Sequence, residues 1–330
     1  MNHRSFLSLA ILLILWPVYA AGQVKEAAKI KVSYSVISAA SMVTWVAKDA
    51  GIFQKQGLDV DLIYIGSATK AVSATIAGDT PITQGSGTGS VLARLSGADT
   101  VWVASILDTT NQSLVVMPEI RGAQDLRRKV LGVTRYGSLS DFGVRKYLQQ
   151  VGLDADKDVK IIQMGGLPET LAAMQAGSIH GGALSSPILT KAKLLGFKEL
   201  IDLGSLGIKF PATSYVTTET YLKSHRPQLI QFLKAVIEAA HYVKTHKEFS
   251  VKVLKKYTKI EELPVLDDTY EIYIRRYIRS VPTPSVEEVK TVLEQIKDAR
   301  ARAVDPESFI RTDLMREIEQ SGFIRSLASH

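Results

Sequence analysis

Apolar and polar positions along this chain follow two periods, and the two alternate. Lys31-Val32-Ser33-Tyr34-Ser35-Val36 alternates at the period of a half-buried strand. A small-residue loop follows, Ser38-Ala39-Ala40-Ser41, then a helical stretch that ends at Gly51. Gly57-Leu58-Asp59-Val60-Asp61 leads into a predicted strand, Leu62-Ile63-Tyr64-Ile65, which stops at Gly66. A helix of small residues runs to Ala77-Gly78-Asp79, followed by a short strand over Gly85 to Gly89 and another helix.

From Lys129 the same order begins again. Val130-Leu131-Gly132-Val133 is the strand, Tyr136-Gly137-Ser138-Leu139-Ser140 the loop, and Asp141 to Gln150 the helix. Gly152-Leu153-Asp154 leads into Val159-Lys160-Ile161-Ile162, closed by Gly165. A helix then runs to Ala176-Gly177-Ser178, and a short strand reaches Ser185-Ser186-Pro187. Gly66 pairs with Gly165, Ala74 with Ala173, Ala77 with Ala176 and Gly78 with Gly177, all at one offset. Matches in one register with the same element order predict two similar lobes. Glycine at the paired helix stops accepts left-handed backbone angles without steric cost.

Alternating strands and helices predict an α/β fold with mostly parallel sheets covered by helices. Leu114 to Met117 is apolar and ends at Pro118, which places the first crossing between lobes there. Phe210-Pro211-Ala212-Thr213 precedes a β-prone Ser214 to Val216, the natural return. The expected organisation is therefore 29–117 with 214–330 as one lobe plus C-terminal helices, and 118–213 as the other. The tail from about Thr218 is helical: Pro227 suits a first turn, and Ser285 with Glu288 fits a capping box.

The first 20 residues stand apart from this pattern. Arg4 precedes an apolar run from Phe6 to Trp16, and Val18-Tyr19-Ala20 ends it with the small residues of a cleavage site. The run is shorter than the roughly 20 residues of a membrane-spanning helix, so a signal peptide cleaved near Ala20 is expected. The chain has no cysteine, which excludes thiol catalysis, Cys-ligated metal and a lipid-modified N-terminus. A free protein in an envelope space such as a periplasm follows. The net charge of +7 is spread along the chain without a clustered basic face, which argues against nucleic acid as a partner.

In open α/β sheets ligands bind beyond the carboxyl ends of the strands, where helix N-termini point. The duplicated units place glycine- and serine-rich loops at those positions. They supply Ser38, Ser41, Gly66, Ser67 and Ser86 from one lobe, and Tyr136, Gly137, Ser138, Ser140, Gly165 and Ser185 from the other. Hydroxyls and free amides there donate hydrogen bonds, although the same residues also cap helices. Trp45, one turn beyond Ser41, together with Tyr136 and Tyr215, either lines an apolar side of the pocket or packs in the core. Lys70 and Arg135 are the cations near the loops, and Glu169 suits the first turn of its own helix. No nucleophile elbow, Walker sequence or ligand-spaced histidine pair occurs, so no catalytic residue, metal or cofactor is expected.

Ala-Lys-Asp-Ala-Gly-Ile-Phe at 47–53, Gly-Leu-Asp-Val at 57–60 and Ala-Gly-Asp at 77–79 resemble the sulfonate/nitrate/taurine-type substrate-binding proteins of ABC importers. That family is itself similar to thiamine-pyrimidine synthesis proteins, and the resemblance covers about 30 to 325. It implies a type II periplasmic-binding-protein fold: two Rossmann-like lobes, a two-segment hinge and a helical C-terminal tail. It also implies a monomer with a small-molecule ligand in the interlobe cleft, passed to an ABC permease and its ATPase at the inner membrane. By motif position its ligand contacts fall on Ser38, Ser41, Gly66, Ser67, Ser86, Tyr136, Gly137, Ser138 and Ser185. The absence of cysteine departs from the pyrimidine-synthesis members, and no basic cluster suggests a dedicated nitrate site. An organic ligand with one anionic or polar end is expected, bound by hinge closure. The rivals are an enzyme of lyase or dehydratase type on the same fold and a component that presents ligand to a sensor.

Overall fold

The structure, a computed structural model, describes residues 27–327. The expected signal peptide over 1–20 lies outside the described residues. Ten strands form two five-stranded sheets. The first contains β1 (Ala28–Tyr34), β2 (Leu58–Tyr64), β3 (Ile82–Gly85), β4 (Thr100–Thr109) and β10 (Lys209–Thr218), in the order β2-β1-β3-β10-β4. The second contains β5 (Ser113–Val116), β6 (Val130–Val133), β7 (Lys160–Gln163), β8 (Gly181–Leu184) and β9 (Lys198–Asp202), in the order β7-β6-β8-β5-β9. The two orders are the same pattern, as the duplication predicts. Each unit's helices stop on a left-handed glycine at the matched positions, Gly78 with φ 84° and Gly177 with φ 69°.

In each sheet the first three strands are parallel and the fourth runs antiparallel to both neighbours. That fourth strand, β10 or β5, is the one that has just arrived from the other lobe. Four of the five strands in each sheet therefore run one way, as expected, and the exchanged strand makes each sheet mixed. The position of the crossings is corrected. Leu114, Val115 and Val116 pair with β8 on one side and β9 on the other, inside the second sheet, so the first crossing lies at 110–112, ahead of Pro118. Lys209 already pairs with Thr109, so the return crossing precedes Phe210. An apolar run of β-prone residues fixes burial but carries no information on which sheet will bury it. The short strand expected at Gly85 to Gly89 lies earlier, at β3, and a helix begins at Thr88. Gly87 sits against the Trp102 ring and Pro211, where an added Cβ would be 2.5 Å and 2.8 Å from them.

The C-terminal helices pack mainly on the first lobe, sharing its core. Helix Leu263–Arg276 also reaches the second lobe. Thr190 Oγ1 donates to Asp268 Oδ2 at 2.8 Å, and Lys191 lies 3.1 Å from Glu262. Long helix Glu219–Thr245 kinks at His225, which lets Pro227 occupy a first-turn position after the kink. The Ser285–Glu288 capping box forms as read from the sequence. Glu288 is fully buried, takes a hydrogen bond from Ser105 of β4, and accepts from Ser285 N at 2.9 Å.

Burial raises the Glu288 carboxyl above its usual 4.5, outweighing the hydrogen bonds from Ser105 and Ser285. The folded chain therefore holds this proton more tightly than the unfolded chain does. Its contribution to stability is full below the unfolded value and declines as pH rises through the folded one. Glu288→Gln should flatten that decline in a melting-temperature profile taken across the mildly acidic range. A profile parallel to wild type would contradict this assignment.

Candidate functional site

Loops beyond the carboxyl ends of β1, β2 and β3 in one lobe and β6, β7 and β8 in the other line a cavity of about 690 Å³. Six loops line it, each running into a helix. Their N-caps are Ser38, Ser67 and Gly87 in the first lobe, and Ser138, Gly166 and Pro187 in the second. The first turns of these helices carry amides that the helix itself cannot pair, and their dipoles place partial positive charge at the cavity. Small residues at the loops keep the backbone open to a bound molecule, which is why glycine and serine recur there.

The structure brings ten of the thirteen expected site residues to this cavity: Ser38, Gly66, Ser67, Ser86, Tyr136, Gly137, Ser138, Ser140, Gly165 and Ser185. Several also have structural partners. Ser38 Oγ accepts from Ala40 N at 3.3 Å, Ser67 Oγ from Lys70 N at 3.5 Å, and Ser138 Oγ from Asp141 N at 3.5 Å. Accepting at a helix end leaves a serine proton free to donate. Thr134, Ser138 and Ser140 form a triangle of hydroxyls with edges of 2.8, 2.9 and 3.0 Å. Tyr136 is 53 % exposed and donates from its hydroxyl to Ile161 O at 3.0 Å, laying its ring against the second lobe. Gly137 and Gly165 adopt left-handed angles, φ 73° and 96°, which glycine meets without strain.

Three expected residues stand elsewhere. Ser41 is fully buried, with its hydroxyl turned to Val36 O at 2.8 Å and Gln84 Oε1 at 3.0 Å, so it braces the first loop from behind. Trp45 is fully buried, stacked on Tyr257 with centroids 4.7 Å apart and edge-on to Tyr34. Tyr215 pairs with Thr44 at 2.7 Å in the core, and burial raises its phenol well above the usual range. For all three, the helix or strand is rotated so that the side chain faces the sheet core. Of the cations near the loops, Arg135 lines the cavity, whereas Lys70 is exposed outside it.

The charged lining consists of Arg135 and Glu169, both exposed. Glu169 lies near Tyr64 across the cleft, and its charge, after burial, raises the Tyr64 phenol. The floor is polar and uncharged. Asn111 and Gln112 reach it from the first crossing, and neither stood out in the sequence except as part of an Asn-x-Ser triplet. Asn111 Nδ2 donates to the Tyr273 hydroxyl at 2.6 Å. Tyr273 comes from the C-terminal helix Leu263–Arg276 and is fully buried. Burial pushes its phenol up to about 12, against the opposing hydrogen bonds of Ser38, Ser185 and Asn111. One hydroxyl thus ties together a loop of each lobe and the crossing between them. Among the described residues no cluster of His, Asp and Glu could hold a metal ion, and no helix is long and apolar enough to cross a membrane.

A family model described as NMT1/THI5 like matches residues 39–249. Among proteins of similar sequence, YtlA of Bacillus subtilis, named only provisionally as a binding protein, is 22 % identical over 277 residues, 82 % of each chain. The periplasmic aliphatic sulphonate binding protein SsuA from Escherichia coli superposes with a TM-score of 0.72 at 18 % identity, covering 86 % of this chain and 92 % of that one. The periplasmic nitrate-binding protein NrtA from Synechocystis PCC 6803 gives 0.75 at 14 % identity, covering 90 % and 89 %. At such identities the likeness establishes the fold, that of the periplasmic binding proteins with a helical C-terminal region.

Proposed function

This chain belongs to the NMT1/THI5-like family, and from that premise we propose that it is an exported solute-binding protein that captures a small organic anion between its lobes. The observation that carries the proposal is the convergence of six helix N-termini, three from each lobe, on one cavity of about 690 Å³. A volume of that size suits a small molecule. Oriented amides at positive helix ends favour a carboxylate or sulfonate without any charged side chain being buried beside it. Ligand contacts shared between lobes bind the closed arrangement more tightly than an open one, and so shift the population toward it. The closed form is then what an ABC permease with its ATPase at the inner membrane would recognise, with the protein working as a monomer in the periplasm.

Capture fits the lining better than turnover does. The cavity offers hydroxyls, amides and backbone N–H groups, while its one carboxylate, Glu169, and its one guanidinium, Arg135, stand exposed. The signal-like sequence of residues 1–20 and the fold shared with periplasmic binding proteins support export and delivery. The test is a thermal-shift screen of the mature protein against alkyl and aryl sulfonates, carboxylates, aromatic acids, pyrimidines, taurine, nitrate and bicarbonate. A ligand at about 100 times its Kd should add roughly 2.7 kcal/mol of stability. Stabilisation by one class without chemical change to the ligand supports the proposal. Conversion of a stabilising compound, followed by mass spectrometry, would replace it with an enzyme.

A further inference from the structure

Among the described residues only two Phe, Tyr or Trp side chains are exposed, and both line the cavity, one from each lobe. Tyr64, 49 % exposed, ends β2 in the first lobe, and Tyr136, 53 % exposed, follows β6 in the second. Exposed apolar surface gathered in one concavity marks a place of contact. Neither ring is loose. Tyr136 donates from its hydroxyl to Ile161 O at 3.0 Å and from its backbone N to Gln163 Oε1 at 2.9 Å. Tyr64 leans on the Tyr34 ring, with centroids 5.4 Å apart, and crosses Gly66, where an added Cβ would be 2.9 Å from its hydroxyl oxygen. Gly66 takes no left-handed angle, unlike its duplicate Gly165, so what this glycine provides is room for the phenol. Each ring is therefore backed by its own lobe and open to the cavity. Ile37, 40 % exposed, also lines the cavity and holds in the first lobe the station of Tyr136 in the second, at the offset that pairs Gly66 with Gly165.

Rings held in this way offer their faces rather than their polar ends, and the Tyr136 hydroxyl is already engaged. A flat aromatic ring between them would meet both faces and gain stacking beyond the area it buries. A puckered saturated ring of the same size buries similar area without that gain. Tyrosine faces also attract cations, but the helix N-termini at this cavity oppose positive charge. Glu169 of the second lobe is near enough to act on the Tyr64 phenol, so the gap between the lobes is short at this point. Resting on the interlobe-cleft reading above, we propose that Tyr64 and Tyr136 are the two jaws of a clamp for a planar aromatic ring. The ligand is then an aromatic anion, its ring between the tyrosines and its carboxylate or sulfonate at the helix N-termini. Because each lobe supplies one jaw, the ring contact is complete only when the lobes close.

The test compares benzoate and benzenesulfonate with cyclohexanecarboxylate and cyclohexanesulfonate, which keep the charge and ring size but are puckered. Phenyltrimethylammonium carries the same flat ring with the opposite charge. Wild type, Tyr64→Leu, Tyr64→Phe and Tyr136→Leu are measured by thermal shift and calorimetry. Wild type should bind an aromatic anion about tenfold or more tightly than its saturated counterpart. Each leucine variant should lose most of that preference, whereas Tyr64→Phe, which keeps the ring, should retain it. Unliganded melting temperatures should stay close to wild type, since both side chains are half exposed. Equal affinity for flat and puckered anions, tighter binding of the cation, or a preference undiminished in both leucine variants would overturn the inference. So would leucine variants that weaken flat and puckered probes alike, or a loss in Tyr64→Phe as large as in Tyr64→Leu. In each of those cases Thr69→Trp judges the cleft reading separately: that reading survives if the substitution abolishes the binding that remains, and falls if it does not. If neither aromatic anion stabilises wild type the inference falls, and the wider screen decides the cleft reading.

Discussion

Thr69→Trp should abolish ligand-dependent stabilisation while leaving the unliganded protein as stable as wild type. Thr69 is exposed, lines the cavity, and sits in the first turn of helix Ala68–Ile76, two residues after the Ser67 cap. An indole there fills space between the lobes that both a ligand and closure require, and it does so without removing a hydrogen bond made by the threonine side chain. Affinity for a ligand found in the screen should fall about 100-fold or more, about 2.7 kcal/mol. Surface substitutions of this kind change folding stability by roughly 0.5 kcal/mol or less. Calorimetry on the folded variant gives the answer. Undiminished affinity would place the ligand somewhere other than this cavity.

Tyr273→Phe has the largest effect expected of a single-atom change. The hydroxyl it removes is fully buried and takes the Asn111 amide at 2.6 Å, with Ser38 and Ser185 as further hydrogen-bonding neighbours. The ring itself remains, so packing in the core around Leu266 and Tyr270 is retained. Leaving buried donors without an acceptor should cost about 1–3 kcal/mol, a few degrees of melting temperature for a chain of this size. Since the lost atom joins both lobes to the crossing, ligand affinity should change with it. Asn111→Ala should cost less when combined with Tyr273→Phe than by itself, because the two share one interaction. Additive costs in that cycle would show that the Asn111–Tyr273 bond contributes nothing.

The architecture was legible wherever a local physical demand left a residue type behind. Gly78 and Gly177 mark helix stops because left-handed angles favour glycine, and their common register shows the duplication in the sequence itself. Ser38, Ser67 and Ser138 were legible as loop serines at helix starts, and each does cap its helix at the cavity edge. Exchange of strands between lobes left no such mark. Leu114-Val115-Val116 is equally apolar whichever sheet receives it, so the crossing was misplaced by several residues. Ser41, Trp45 and Tyr215 were drawn into the site because they lie close in sequence to loops that are in it. A helix's rotation about its own axis decides which side chain faces the cleft, and Gln84, Tyr257 and Thr44 hold those three inward. Asn111 and Tyr273 carry no local mark of their meeting. Their hydrogen bond joins a crossing segment to a C-terminal helix more than a hundred residues away, which no periodicity records.

Closure of the lobes on a ligand is the central claim, and small-angle X-ray scattering tests it most directly. The mature protein is measured alone and at saturation with the strongest stabilising ligand from the screen, alongside Thr69→Trp under both conditions. A smaller radius of gyration with ligand in wild type, and no change in the variant, is the result expected of two lobes that close on a molecule held between them. Tight binding with an unchanged radius, or an equal contraction in Thr69→Trp, would contradict it.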